Sequence, residues 1–89
     1  GKTADIVGSK LKKISNSVQL IVISHLAQIA SKANANYLLS KKEIDGFTQS
    51  SIEKLNYDNT IKEIARLISG SDITEKSLIS AEELLKEDL

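Results

Sequence analysis

The single histidine, His25, is the residue of this sequence best suited to chemistry. It follows an apolar run over residues 18–23 and precedes a helical pattern, so it stands where a buried strand would pass into a helix. In open α/β sheets ligands bind beyond the carboxyl ends of the strands, and helix N-termini favour anions such as phosphate. His25 is therefore a candidate for contact with a bound phosphate. The structural alternative is a histidine that caps the helix or fills a surface niche.

Most other catalytic and ligand-binding patterns are missing from the sequence. There is no cysteine, which excludes disulfides, thiol catalysis and zinc–thiolate sites. Neither GxxxxGK(S/T) nor GxGxxG occurs, and residues 1–3 (GKT) match only the end of the first motif. A metal site would need acids around His25, yet the nearest downstream acid is Glu43, so no metal is expected. Lys41 and Lys42 are interpreted as edge-strand charges that oppose aggregation.

Length and charge limit the classes of protein that fit. The 89 residues suffice for one small domain, and 40% hydrophobic with 27% charged residues is ordinary for a globular chain. The 12 basic and 12 acidic residues balance, so no net field draws the chain to nucleic acid or acidic lipid. No apolar run is long enough to span a bilayer, which makes the cytoplasm the expected location. The absence of methionine and the start at Gly1 suggest a piece of a larger protein, although an expression scar or a processed terminus explains Gly1 equally well.

Apolar spacing predicts four helices, because each apolar stripe follows the three- and four-residue steps of one helix face. Gly70 is expected to end the third helix, and Thr74 to cap the fourth. The four stripes are Ala4, Val7, Leu11 and Ile14; Leu26, Ile29, Ala30 and Ala33; Ile61, Ile64, Ala65 and Ile68; and Leu78, Ala81 and Leu85.

Three strands are predicted between these helices. Residues 18–23 are almost continuously aliphatic, which is typical of a strand buried on both faces of a parallel sheet. Residues 37–44 and 47–55 form two further strands, and the Asp45-Gly46 pair between them is a strong hairpin signal. The expected class is α/β, with the order α-β-α-β-β-α-α in a single domain over residues 1–89.

Residues 19–30 read QLIVISHLAQIA and resemble the strand and H-loop of RecN-type ATPases, the SMC-like ABC proteins of bacterial DNA double-strand-break repair. That family typically reads valine or isoleucine repeats followed by Thr-His-Leu-Pro-Gln-Ile-Ala. Ser24 replaces the usual threonine and keeps its hydroxyl, while Ala27 replaces a proline that a first helical turn does not require. The resemblance extends to residues 1–8, which look like the piece after the family's D-loop serine, and to residues 37–42, 64–70, 74 and 81–85.

The resemblance implies the C-terminal subdomain of an ABC-type ATPase head of the P-loop NTPase class, comprising the H-loop, the hairpin and the C-terminal helices. In the full-length protein a long coiled coil would split this head, and two heads would enclose ATP and Mg²⁺. His25 would contact the γ-phosphate and help to position the attacking water, with Ser24, Gln28 and Gly1 as nucleotide-binding residues. The implied partners are the rest of the head, a second head and DNA, at the nucleoid of a bacterial cytoplasm, with no membrane.

Walker A, Walker B and the ABC signature motif do not occur in the 89 residues. The resemblance therefore implies that the isolated chain supplies one switch residue of an enzyme, binds no cofactor and hydrolyses no ATP. A non-enzymatic protein-interaction module, docking a partner through the hairpin or the last helix, is the alternative. The isolated chain is also expected to self-associate through the unpaired edges of the strand at residues 18–23, unless the hairpin folds back to cover that strand.

Overall fold

The computed structural model describes residues 1–87, which form four helices and one two-stranded antiparallel sheet. In chain order the elements are α1 (Lys2–Ile14), α2 (Ala27–Ala30), β1 (Tyr37–Ile44), β2 (Phe47–Lys54), α3 (Tyr57–Ser69) and α4 (Glu75–Lys86). Helices and strands are mixed, as predicted. The order α-α-β-β-α-α, however, lacks the first of the three predicted strands.

The core lies where α2, α3 and α4 meet. Its buried hydrophobic residues are Ala27, Ile64, Ala65 and Ala81. Since three of these are alanines, Ile64 supplies the only large, fully buried side chain in the described part of the chain. The remaining members of the cluster are partly buried: Ala30, Ile61, Leu67, Leu78, Leu84 and Leu85. The stripes predicted for α3 and α4 therefore face the core, except that Ile68 stays 40% exposed.

Side-chain hydrogen bonds fix the starts of α3 and α4. The Asn59 N–H donates to Asn56 Oδ1 at 2.8 Å. Thr74 and Ser77 cap α4 reciprocally: the Ser77 N–H donates to Thr74 Oγ1 at 3.0 Å, and the Thr74 N–H donates to Ser77 Oγ at 2.9 Å. Gly70 ends α3 at φ 88°, a conformation that favours glycine. The predicted roles of Thr74 and Gly70 are confirmed.

The hairpin is also confirmed. β1 and β2 pair along their whole length, with Ile44 opposite Phe47 at the tight end. Asp45 and Gly46 both have positive φ, 51° and 79°, as a two-residue type I′ turn requires. That turn follows the right-handed twist of the flanking strands, which is why the Asp-Gly pair was a dependable signal.

The two faces of the hairpin differ in their surroundings. Leu38 and Ser40 on one face are half-buried. On the other face Tyr37, Leu39 and Ile52 remain 60%, 53% and 70% exposed, with Leu39 directly opposite Ile52. One side of the hairpin thus presents apolar side chains to solvent.

Residues 18–23 do not form the predicted strand, and this corrects the expected element order. They have no regular secondary structure, and Ile21 and Ile23 are 87% and 93% exposed. Aliphatic composition favours a strand, but a strand needs a neighbour that accepts its backbone hydrogen bonds. Within residues 1–87 the two strands pair only with each other, so the segment has no sheet to join. The aliphatic side chains of the segment are 36–93% exposed, so the hairpin does not bury them.

α2 is shorter than its apolar stripe predicted. The stripe extended to Ala33, whereas the helix ends after Ala30 and residues 31–32 form a turn. Ala27 and Ser31 are buried at the two ends of this single helical turn. α2 therefore serves as a short connector between α1 and the core.

α1 follows its predicted span and packs against α2 through a glycine. Gly8 is the one buried residue of α1. A Cβ atom at position 8 would lie 3.0 Å from the carbonyl oxygen of Gln28 and 3.3 Å from Cγ of Lys32. The absence of a side chain at Gly8 lets the two helices approach.

Candidate functional site

His25 lies on the surface, between the irregular segment and α2. Its side chain has no hydrogen-bond or ion-pair partner among residues 1–87, and residue 25 is exposed. The N-cap residue of α2 is Leu26, and no side chain caps that helix. The interpretation of His25 as a helix cap is therefore wrong. The imidazole is accessible to a ligand or a partner.

Ser24 forms a local turn around His25. The Leu26 N–H donates to Ser24 Oγ at 3.0 Å, two residues back along the chain. Such turns are typical of serine and threonine, whose hydroxyls imitate a backbone carbonyl. Ser24 was predicted to bind nucleotide. In this structure its hydroxyl oxygen is used as an acceptor inside the chain, while its own proton is free to donate.

Gly1 and Leu26 line one open groove between α1 and α2. Ala4, Val7 and Ile29 provide most of the remaining wall. The structure thus brings Gly1 into the same groove as the residue that follows His25, although they are far apart in sequence. The groove is mainly apolar and does not by itself resemble a phosphate cradle.

Gln28 belongs to α2 and is half-buried. Its carbonyl oxygen accepts a hydrogen bond from Ser31 Oγ at 3.3 Å and faces Gly8 of α1. The backbone of Gln28 therefore has a packing role. α2 is one turn long, so few peptide dipoles are aligned and the predicted attraction of phosphate to its N-terminus loses its basis.

The part of the chain that the structure describes contains no group of three or more histidine, aspartate or glutamate side chains able to hold a metal ion. It also contains no helix that is long and apolar enough to cross a membrane.

A second cleft, between the hairpin and α3, was not anticipated from the sequence. Leu38 and Glu53 line it from the hairpin, and Lys62 and Arg66 from α3. Arg66 Nε donates to Glu63 at 3.1 Å, and this hydrogen bond and the carboxylate charge raise the pKa of Arg66. The three-residue spacing of these two residues on a helix is the signal that could have indicated the ion pair. The cleft carries both charge signs, which favours no simple ionic ligand.

Comparison with known proteins identifies relatives of the whole chain, although no family model matches it. The DNA repair protein RecN of Rickettsia bellii is 44% identical over 85 residues, or 96% of this chain. RecN of Xylella fastidiosa is 40% identical over 87 residues, and RecN of Vibrio cholerae is 39% identical over 85 residues. The chain spans about 16% of the length of the first two relatives and 15% of the third.

These matches show that the chain is similar to a segment of a much longer DNA repair protein. That protein is RecN in each of the three relatives named above. The resemblance drawn from residues 19–30 and the flanking segments is therefore confirmed, over 96–98% of this chain.

Proposed function

We propose that this chain is the C-terminal part of the ATP-hydrolysing head of a RecN-like protein of DNA double-strand-break repair. The similarity to RecN over almost the entire chain carries this proposal. The exposed aliphatic side chains of residues 18 and 20–23 support it, because a segment this rich in such side chains suits a larger sheet that includes other parts of the protein. In this function the rest of the head, a second head and DNA are the partners, in a bacterial cytoplasm.

His25 would act on ATP that is bound mainly outside this chain. An imidazole N–H donates one hydrogen bond, and a γ-phosphate oxygen that gains charge during hydrolysis is a suitable acceptor. The exposure of His25 and its lack of a partner within residues 1–87 support this role. Catalysis would come from positioning and charge stabilisation, without a covalent intermediate.

Mg²⁺ does not fit the described residues. They contain no group of three or more acidic or histidine side chains able to hold a metal ion, so its ligands would have to come from elsewhere in the full-length protein. Together with the missing Walker motifs, this leads us to propose that the isolated chain is inactive. An ATPase assay of the 89-residue chain should give the rate of the buffer alone, and measurable turnover would contradict the proposal.

The test of the phosphate role is His25→Ala in the full-length protein. Loss of one hydrogen bond to a charged transition state costs about 3 kcal/mol, so ATP turnover should fall roughly a hundredfold. ATP binding should stay close to that of the unsubstituted protein, because other segments hold the nucleotide. Steady-state ATPase assays and nucleotide titrations measure the two quantities.

The matched control for this test is Gln19→Ala. Gln19 is an exposed polar residue of the same irregular segment, and its truncation should leave turnover unchanged. A His25→Ala protein with normal turnover would remove the phosphate role and leave His25 as an ordinary surface residue. A His25→Ala protein that no longer binds ATP would show that this residue holds the ground state.

One observation favours the alternative of a non-enzymatic interaction module. Tyr37, Leu39 and Ile52 form an exposed apolar face of the hairpin, and such patches commonly mark contact surfaces. In that case Leu39→Ser with Ile52→Ser would abolish partner binding, and His25→Ala would leave every activity intact. The pair of variants therefore distinguishes the two functions.

A further inference from the structure

Within residues 1–87, residues 19–25 take part in a single hydrogen bond. This bond joins the two neighbours of the candidate histidine, His25. The Leu26 N–H donates to Ser24 Oγ at 3.0 Å, closing a turn that spans His25. Leu26 is itself held from the other side, because its carbonyl accepts from Ile29 N–H at 3.1 Å and from Ala30 N–H at 3.0 Å. The hydrogen-bonded turn thus connects the irregular segment to the start of α2.

α2 in turn is anchored in the core. Ala27, the first residue of this helix, is only 6% exposed and packs in the cluster with Ile64 and Ala65. Contacts therefore continue from the core through Ala27 and Leu26 to the hydroxyl of Ser24. His25 lies between Leu26 and Ser24, and residues 19–23 make no hydrogen bond within residues 1–87.

We propose that Ser24 is a positioning residue for His25. Its hydroxyl oxygen restrains the backbone on both sides of His25 and so fixes the direction in which the imidazole leaves the chain. This inference rests on the proposed role of His25 toward phosphate and deepens it. This role differs from the expectation that Ser24 binds nucleotide, because it acts through the neighbouring side chain.

The expected kinetic signature differs from that of a direct nucleotide contact. Without the hydroxyl, the Leu26 N–H is solvated by water, because the bond is exposed, so the fold should be little affected. The imidazole, however, would sample more orientations and reach the phosphate less often. Ser24→Ala in the full-length protein should lower kcat roughly fivefold, with KM for ATP unchanged. Ser24→Thr keeps the acceptor and should restore kcat.

A double variant tests whether Ser24 acts through His25. If it does, Ser24→Ala combined with His25→Ala should be no slower than His25→Ala alone, because the residue being positioned is already missing. Ser17→Ala is the matched control. It removes an exposed hydroxyl in the turn that follows α1, forms no side-chain hydrogen bond within residues 1–87, and should leave kcat unchanged.

Two outcomes would overturn the inference: normal kcat in Ser24→Ala, with or without a raised KM, or a double variant much slower than His25→Ala. If His25→Ala slows turnover while Ser24→Ala does not, only the positioning role fails. If His25→Ala itself leaves turnover unchanged, the proposed function of His25 fails, and the role of Ser24 fails with it.

Discussion

Short polar side chains decide local geometry at the turn around His25 and at the start of α4. Ser24 closes the turn around His25, and Thr74 and Ser77 exchange two hydrogen bonds at the start of α4. In both cases the side chain imitates a backbone group and accepts from an N–H that has no backbone partner. The two sites differ in what they position. α4 contributes side chains to the core, whereas the turn at Ser24 contains the exposed imidazole of His25.

Replacement of the α4 cap should reduce stability. Thr74→Ala removes the acceptor for the Ser77 N–H, and loss of an N-cap costs about 1 kcal/mol. Thermal unfolding at fixed protein concentration should show a lower Tm. Ser71→Ala, an exposed hydroxyl upstream of the cap, is the control and should leave Tm unchanged. Equal Tm values for both variants would mean that the reciprocal bonds contribute little in solution.

Small residues allow close approach where α1 meets α2 and within the core. α1 meets α2 at Gly8, and alanines provide three of the four buried hydrophobic residues of the core. Small residues of this kind make packing sensitive to added atoms. The hairpin is different, since its stability comes mainly from its own ladder and its Asp45-Gly46 turn.

Gly8→Ala should weaken the contact between α1 and α2. Alanine favours a helix over glycine by about 1 kcal/mol, which alone would raise stability. The new methyl group would lie 3.0 Å from the Gln28 carbonyl oxygen, however, and overpacking of this kind costs about 1–3 kcal/mol. We therefore expect a net loss of about 1 kcal/mol, measured by urea unfolding.

Ser9→Ala provides the comparison for Gly8→Ala. Ser9 is exposed on the same helix, so this variant gains helix propensity without a new contact and should be slightly more stable. If Gly8→Ala were stabilised as much as Ser9→Ala, the close approach of α1 and α2 would not persist in solution.

The whole molecule is more extended than a compact chain of its length. Its radius of gyration is 14.1 Å, against about 12 Å expected for a compact chain of this size. Many large hydrophobic side chains remain exposed, above all Ile21 and Ile23, while the buried core is small. A chain with a small core has a small free energy of unfolding, and exposed apolar surface drives association.

We therefore predict that the isolated chain self-associates. Sedimentation velocity over a concentration series should show species larger than the monomer, and Ile21→Asp with Ile23→Asp should shift the population toward monomer. Gln49→Asp with Ser51→Asp, on exposed positions of β2, adds the same charge elsewhere and should have a smaller effect. A single monomeric species at every concentration would contradict the prediction.

Much of the local structure was determined by the sequence alone. The end of α3 follows from Gly70, the start of α4 from Thr74 and the hairpin from Asp45-Gly46, because caps and tight turns depend on a few adjacent residues. The relation to RecN was likewise readable from the residues around His25.

Only the tertiary structure decided that residues 18–23 form no strand and that His25 is exposed. β-branched composition is a propensity, and a strand forms only where another backbone completes its hydrogen bonds, which the described residues do not offer to this segment. Contacts between positions far apart in the chain could not be predicted from the sequence either, because they depend on how α1 packs against α2. Examples are Gly1 beside Leu26 and Gly8 against Gln28. Local spacing determines which elements can form, and packing partners determine which of them do.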